Sequence, residues 1–140
     1  MELQIKKLHP DAKLPTYAHP GDAGMDLYTC TRVEIPAGAR ILIPTGLAMA
    51  IPTGYVGLVW DKSGVSYKHG IKIIGGVADA GYRGEIFVGV LNTSDNAHVF
   101  ESGQKVAQML IQKVEQPDFV EVAELDHTDR GDRAFGSSGV

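Results

Sequence analysis

Asp79 and Tyr82 stand three residues apart in the run Gly76-Val77-Ala78-Asp79-Ala80-Gly81-Tyr82-Arg83-Gly84. An aspartate carboxylate is ionised near neutral pH and can take a proton from water. A phenol ring can pack against a sugar. Each residue also has a plain structural use, because Asp in a glycine-rich turn caps backbone N–H groups and a hairpin Tyr packs half-buried. Two further segments suit phosphate. Lys62-Ser63-Gly64 offers an ammonium and a hydroxyl. Read with Ser63 as the N-cap of a short helix over Val65-Ser66-Tyr67-Lys68, it also offers exposed backbone N–H groups. The stretch Arg130 to Gly139 sets two arginines and Phe135 among small residues. Arginines make forked hydrogen bonds to phosphate, and a ring stacked on a nucleobase contributes about 1–3 kcal/mol. Against these readings stand a plain cap on a surface helix and a disordered end.

The elements that must position these residues are short. The 17 glycines and 7 prolines are spread through all 140 residues, which leaves few windows for a long helix. Apolar runs between them predict strands over Leu3–Leu8, Val33–Ile35, Arg40–Ile43, Leu47–Ile51, Tyr55–Trp60, Ile71–Ile74, Glu85–Leu91, Ala97–Phe100, Val106–Val114 and Phe119–Val122. Val106–Val114 also fits a helical stripe, and its all-β surroundings favour strand. Ile71–Ile74 and Ile86–Leu91 flank the Asp79 turn and predict a hairpin that presents it. The sum is an all-β sandwich or barrel with at most one short helix. It comprises one domain over residues 1–127 and a tail over 128–140, rich in Gly, Ser, Asp and Arg.

Composition narrows the function classes. A net charge of −4 lacks the basic face that a nucleic-acid backbone requires, yet a few local cations suffice for a small anion. Cys30 is the only cysteine, so no internal disulfide forms. The five histidines are scattered without a metal-ligand spacing. Neither a phosphate-cradling Walker loop nor a nucleophile elbow is present. The N-terminus lacks a signal-peptide core and no stretch has the length of a membrane span. The expected compartment is the cytoplasm. An Arg-Gly-Asp tripeptide at Arg130–Asp132 carries little weight as an adhesive motif without a secretion signal.

Five segments in register resemble the trimeric deoxyuridine triphosphatase (dUTP diphosphatase) family. They are Ala23-Gly24-Met25-Asp26-Leu27, Lys62-Ser63-Gly64, Gly76 to Gly84, Gly103-Gln104-Lys105-Val106-Ala107-Gln108, and Arg130 to Gly139. The resemblance implies a distorted jelly-roll, a homotrimer whose active sites gather segments from three subunits, and a tail that covers a neighbour's site. It implies Asp79 as the general base for a water that attacks the α-phosphorus of dUTP, giving dUMP and pyrophosphate. Such help is typically worth about 10²–10⁴ in rate. Tyr82 would lie under the deoxyribose and exclude a 2′-hydroxyl. The backbone from Ile73 through Gly76, Val77 and Ala78 would read uracil. Lys62, Ser63 and Gly64 would hold phosphates, with Gln108 in support. Arg130 would meet the terminal phosphate, and Phe135 would stack on the base beside Gly136 and Ser137. Mg²⁺ would be held through the triphosphate and waters without a direct protein ligand, with Asp26 supporting that shell. The implied role is to limit uracil incorporation into DNA and to supply dUMP for dTMP synthesis.

Several positions depart from the family pattern. Lys62 stands where Arg is usual, which turns a forked contact into a point charge. Asp61 replaces the usual Pro and brings a negative charge near the phosphates, unless its side chain points away. Gly81 stands where an acid is common. Arg133 and Ala134 replace a Gly-Gly pair, so either arginine could meet the terminal phosphate. The related dCTP deaminases need a Glu on the following strand, and Gly89 occupies that position. A non-catalytic nucleotide-binding member of the superfamily is the remaining alternative.

Overall fold

The computed structural model describes residues 1–139; Val140, the last residue of the expected tail, lies outside the described residues. The strands are β1 (Gln4–Lys7), β2 (Met25–Tyr28), β3 (Val33–Ile35), β4 (Arg40–Ala50), β5 (Tyr55–Trp60), β6 (Ile71–Ile73), β7 (Val77–Ala78), β8 (Glu85–Asn92), β9 (His98–Phe100) and β10 (Lys105–Lys113). One helix, α1 (Ser63–His69), joins β5 to β6. The strands form two four-stranded sheets, ordered β1-β4-β8-β6 and β2-β10-β5-β7, with β3-β9 as a third pair. Every ladder is antiparallel. The fold is all-β with one short helix, as the turn-punctuated apolar runs predict.

Alternation builds the core. Along β8, Ile86, Val88, Val90 and Asn92 face inward while Phe87 faces out, the period of two that one buried sheet face demands. Leu27, Ile43, Leu47, Met49, Val106 and Met109 meet them from the neighbouring strands. Buried Asn92 is saturated: its amide donates to the carbonyls of Ile35 and Asn96, and its oxygen accepts from Ser94.

Four expectations need correction. Arg40–Ile43 and Leu47–Ile51 are one strand, β4, interrupted by a bulge between Pro44 and Ala48. Gly46 in that bulge has φ 68°, and the Glu85 carboxylate accepts its N–H at 2.8 Å. β2 is a strand that no apolar run announces, because Asp26 sits in its middle. Phe119–Val122 forms no strand; from Val114 to Gly139 the chain is irregular and lies on the surface, and the apolar run pairs with none of the sheet edges. The exposed stretch therefore starts well before residue 128. The ambiguous Val106–Val114 is strand β10, paired with both β2 and β5. Among the described residues no helix is long and apolar enough to cross a membrane.

Gly89 lies where β8 runs against the end of β6. A Cβ there would fall 2.6 Å from the Ile74 carbonyl oxygen, a backbone atom that cannot step aside. Gly81, in contrast, has open space around it and no left-handed φ. Gly89→Ala should therefore lower stability by about 1–3 kcal/mol, whereas Gly81→Ala should change it by no more than about 0.5 kcal/mol. Urea unfolding of both variants against the parent checks the contrast.

Candidate active site

The Asp79 turn is more than a hairpin. β6 and β8 do pair, with Ile73 opposite Val90, but the chain between them visits the second sheet. Gly75 (φ 74°) and Gly76 (φ 109°) make that change of direction. The Val59 N–H donates to the Gly76 carbonyl at 2.7 Å, and a Cβ at Gly76 would lie 2.7 Å from the Val59 carbonyl oxygen. Only glycine permits that approach. β7 then pairs Val77 with Leu58 and Ala78 with Gly57, and Asp79 leaves its end.

The turn closes through backbone. The Tyr82 N–H donates to the Asp79 carbonyl at 3.1 Å, and the Arg83 guanidinium donates to the carbonyls of Ala80 and Tyr82 at 2.6 and 2.8 Å. The Asp79 residue is exposed, and its carboxylate has no hydrogen-bond partner among the described residues. The capping role that a turn Asp often plays is thus taken by the main chain. The Tyr82 hydroxyl donates to the Glu85 carbonyl at 3.0 Å. Its ring lies against Gly84, where a Cβ would come within 2.4 Å of the phenol oxygen. Val59, Gly76, Ala78, Asp79, Tyr82 and Phe87 line the concavity that results.

A second concavity gathers the phosphate-type residues: Asp22, Gly24, Trp60, Asp61, Ser63 and Gln108 line it. Gln108 Nε2 donates to the Asp61 carbonyl at 2.8 Å. A Cβ on Gly24 would strike Gln108 Oε1 at 2.4 Å, so Gly24 keeps the space that the amide occupies. Ser63 is the first residue of α1 rather than its cap. The cap position belongs to Lys62, in extended conformation and without a side-chain cap bond, since an ammonium has no acceptor to offer the first-turn N–H groups; the Lys62 side chain turns inward instead. Its Nζ donates to Asp26 Oδ1 at 2.5 Å, and Lys105 Nζ lies 2.6 Å from Oδ2. Burial pushes the Asp26 carboxyl up, but hydrogen bonds and charge from Lys105 and Lys62 outweigh it and hold it below the ordinary range. Asp26 in turn raises Lys105.

The two concavities share no lining residue. Between them lies a recess lined by Trp60, Asp61, Lys72, Ile73, Gly76 and Val77. One chain therefore brings Lys62, Ser63, Gly64, Gln108 and Asp26 together, and separately Gly76, Val77, Ala78, Asp79 and Tyr82, with Ile73 in the recess. Arg130, Phe135, Gly136 and Ser137 join neither group. Arg130 and Arg133 hydrogen-bond each other's carbonyls, and Phe135 is fully exposed. Lys105, Lys72 and Trp60 escape the sequence reading: the lysines because their partners Asp26 and Asp61 are not their neighbours in the chain, and Trp60 because it reads as the end of a strand. The one usable signal for Trp60 is a large aromatic at a strand end next to Asp61.

A family model described as dUTPase matches residues 10–139. A deoxyuridine 5'-triphosphate nucleotidohydrolase of Thermobifida fusca is 45% identical over 142 residues, covering 99% of this chain and 79% of that protein. One of Clostridium kluyveri is 43% identical, covering 100% of this chain and 99% of that protein. The structure of the Staphylococcus bacteriophage 80alpha dUTPase with dUPNHPP superposes with a TM-score of 0.93 at 32% identity, covering 99% of each chain.

The Asp26 charge cluster has a pH signature. A carboxyl held below its ordinary 3.8 contributes stability that is full above that value and is lost as pH falls through the lower folded value. Asp26→Asn leaves two lysines facing a neutral amide and should cost about 3 kcal/mol at pH 7, as for a broken buried pair. The gap between the two proteins should close as pH falls below 3.8. Urea titrations of both at stepped pH measure it.

Proposed function

This chain belongs to the dUTPase family, and on that premise we propose that it hydrolyses dUTP to dUMP and pyrophosphate. The observation that carries the proposal is the exposed Asp79 carboxylate, free of structural hydrogen bonds, held beside the Tyr82 ring on a turn pinned to β5 at Gly76. In this reading Asp79 accepts a proton from water as the water oxygen bonds to the α-phosphorus. The bond from that phosphorus to the bridging oxygen breaks, and pyrophosphate leaves. The chain supplies position and charge rather than a covalent intermediate.

Tyr82 packs under the deoxyribose, where its hydroxyl is already committed to Glu85 and a 2′-hydroxyl finds no room. The backbone from Ile73 to Ala78 reads uracil from a frame fixed at both ends, by β8 on one side and β5 on the other. Lys62, Ser63 and Gly64 take the phosphates, with Gln108 in support. Arg130 meets the terminal phosphate, and Phe135 stacks on the base with Gly136 and Ser137 alongside. The separation of the two half-sites within one chain supports a homotrimer in which neighbouring subunits complete each site. A ring as exposed as Phe135 supports a tail over 128–140 that closes onto a neighbour. The expected setting is the cytoplasm, where the reaction would limit uracil in DNA and supply dUMP.

Mg²⁺ fits this site through the substrate. The described residues hold no cluster of three or more His, Cys, Asp or Glu side chains. Asp26, the residue expected to support a metal shell, already faces two ammonium groups that repel a dication. When bound on the triphosphate, Mg²⁺ neutralises phosphate charge. A deaminase reading has less support: Gly89 stands where the required Glu would be, and a Cβ there would lie 2.6 Å from the Ile74 carbonyl oxygen, so a larger residue would force the backbone to shift.

Purified protein with Mg²⁺ should release pyrophosphate from dUTP and leave dCTP, dTTP and UTP nearly untouched. Asp79→Asn should bind dUTP and lose about 10²–10⁴ in kcat. Ammonia from dCTP, or wild-type turnover by Asp79→Asn, would refute the assignment. Deletion of the residues after Thr128 should leave folded trimers with weak catalysis, read by light scattering and pyrophosphate release. Full activity without the tail would remove Phe135 and Arg130 from the site.

A further inference from the structure

Resting on that reading, we propose that Asp61 is a positioning residue that ties the phosphate-binding turn to the base-reading strand. β6 is the edge of its sheet. The Ile74 N–H donates inward to the Gly89 carbonyl, so the preceding amide, that of Ile73, points outward to the open side. Ile73 is itself buried, and an edge N–H left unpaired there carries a desolvation cost. Asp61 Oδ1 accepts it at 2.7 Å. Asp61 Oδ2 is ion-paired with Lys72 Nζ. Both carboxylate oxygens are thereby committed to β6, and the negative charge is turned away from Lys62 and Ser63.

The main chain of the same residue serves the other half-site. The Asp61 carbonyl accepts from Gln108 Nε2 at 2.8 Å, and Lys62 follows in an extended conformation (φ −84°, ψ 122°) that starts α1. A proline at position 61 would set that residue's φ covalently. Here the carboxylate tie performs that task from outside the backbone. Asp61 lines both the phosphate-type concavity and the recess that holds Ile73, so one residue sets the relative placement of Gln108, the Lys62–Gly64 turn and the Ile73 backbone.

Two substitutions separate the tie from the charge. Asp61→Ala removes the acceptor for the Ile73 N–H, and kcat/KM for dUTP should fall about tenfold, mainly through KM, as for one lost charge-assisted hydrogen bond. Asp61→Asn keeps an acceptor oxygen and should stay within about threefold of the parent. Amide hydrogen exchange at Ile73, followed by NMR, should quicken in Asp61→Ala and not in Asp61→Asn. Lys72→Gln strands the anion beside the phosphate turn and should raise KM about threefold, and Asp61→Asn in that background should restore it. Unchanged KM in Asp61→Ala, an Asn variant as impaired as the Ala variant, or tighter dUTP binding when the carboxylate is lost with Lys72 in place each overturns the proposal. If Asp61→Ala does not fold, the Lys72→Gln pair decides alone: failure of Asp61→Asn to restore KM sinks the tie. A parent protein inert towards dUTP refutes the hydrolase reading instead, while exchange at Ile73 still reports on the tie.

Discussion

The contact between Gly76 and Val59 governs the half of this molecule that carries Asp79 and Tyr82. A chain running along the edge of one sheet must reverse into the other within a few residues, and side chains on the backbone would prevent it. Gly75 and Gly76 supply the positive φ values, and the Val59 N–H fixes the landing point on β5. Everything downstream inherits that position: β7 is two residues long, Asp79 leaves its end, and Tyr82 lies back over Gly84 because that residue has no Cβ. A free carboxylate on a flexible loop would spend most of its time elsewhere. Here the loop is held by three backbone acceptors in the turn and by β5, so the exposed side chain is mobile only in its own torsions.

The polar half depends on charge pairing rather than on backbone geometry. The chain is acidic overall; besides Asp22, which lies near His19, two carboxylates lie close to the segment that suits phosphate. Each is neutralised by lysine: Asp26 by Lys62 and Lys105, Asp61 by Lys72. The pairings differ in kind. Asp26 is buried on β2, the edge strand of its sheet, and cannot leave its lysines without a large desolvation cost, so it acts as a fixed anchor for Lys62. Asp61 is part-exposed and holds an edge amide, so its contribution is directional more than electrostatic.

How much of this was legible in sequence follows from the range of each interaction. Alternation along Glu85–Asn92 and the glycine-proline punctuation depend on neighbours in the chain, and they lead to the strands of the core. The pairing of Asp26 with residues 36 and 79 positions away does not, and β2 went unread because a strand with a central carboxylate looks polar until its lysines arrive. The Asp79 turn was read correctly as a turn and too simply as a hairpin, since nothing local says that Val77 and Ala78 pair with Gly57 and Leu58. Phe119–Val122 shows the converse failure: an apolar run meets the local criterion for a strand and still forms none, because a strand also needs a partner and this run pairs with none of the sheet edges.

Glycine at three positions illustrates why residue type alone underdetermines function. Gly24, Gly84 and Gly89 all look like turn punctuation or strand weakness in the sequence. In the structure each keeps a volume empty for a different neighbour: the Gln108 amide, the Tyr82 hydroxyl and the Ile74 carbonyl. The first two vacancies shape the candidate site directly, and the third lets β8 run close against the end of β6. Gly81, which interrupts the same turn and departs from the family pattern, keeps no such volume. Its departure is therefore tolerated rather than required, and the geometry of Asp79 and Tyr82 rests on Gly76 and Gly84 instead.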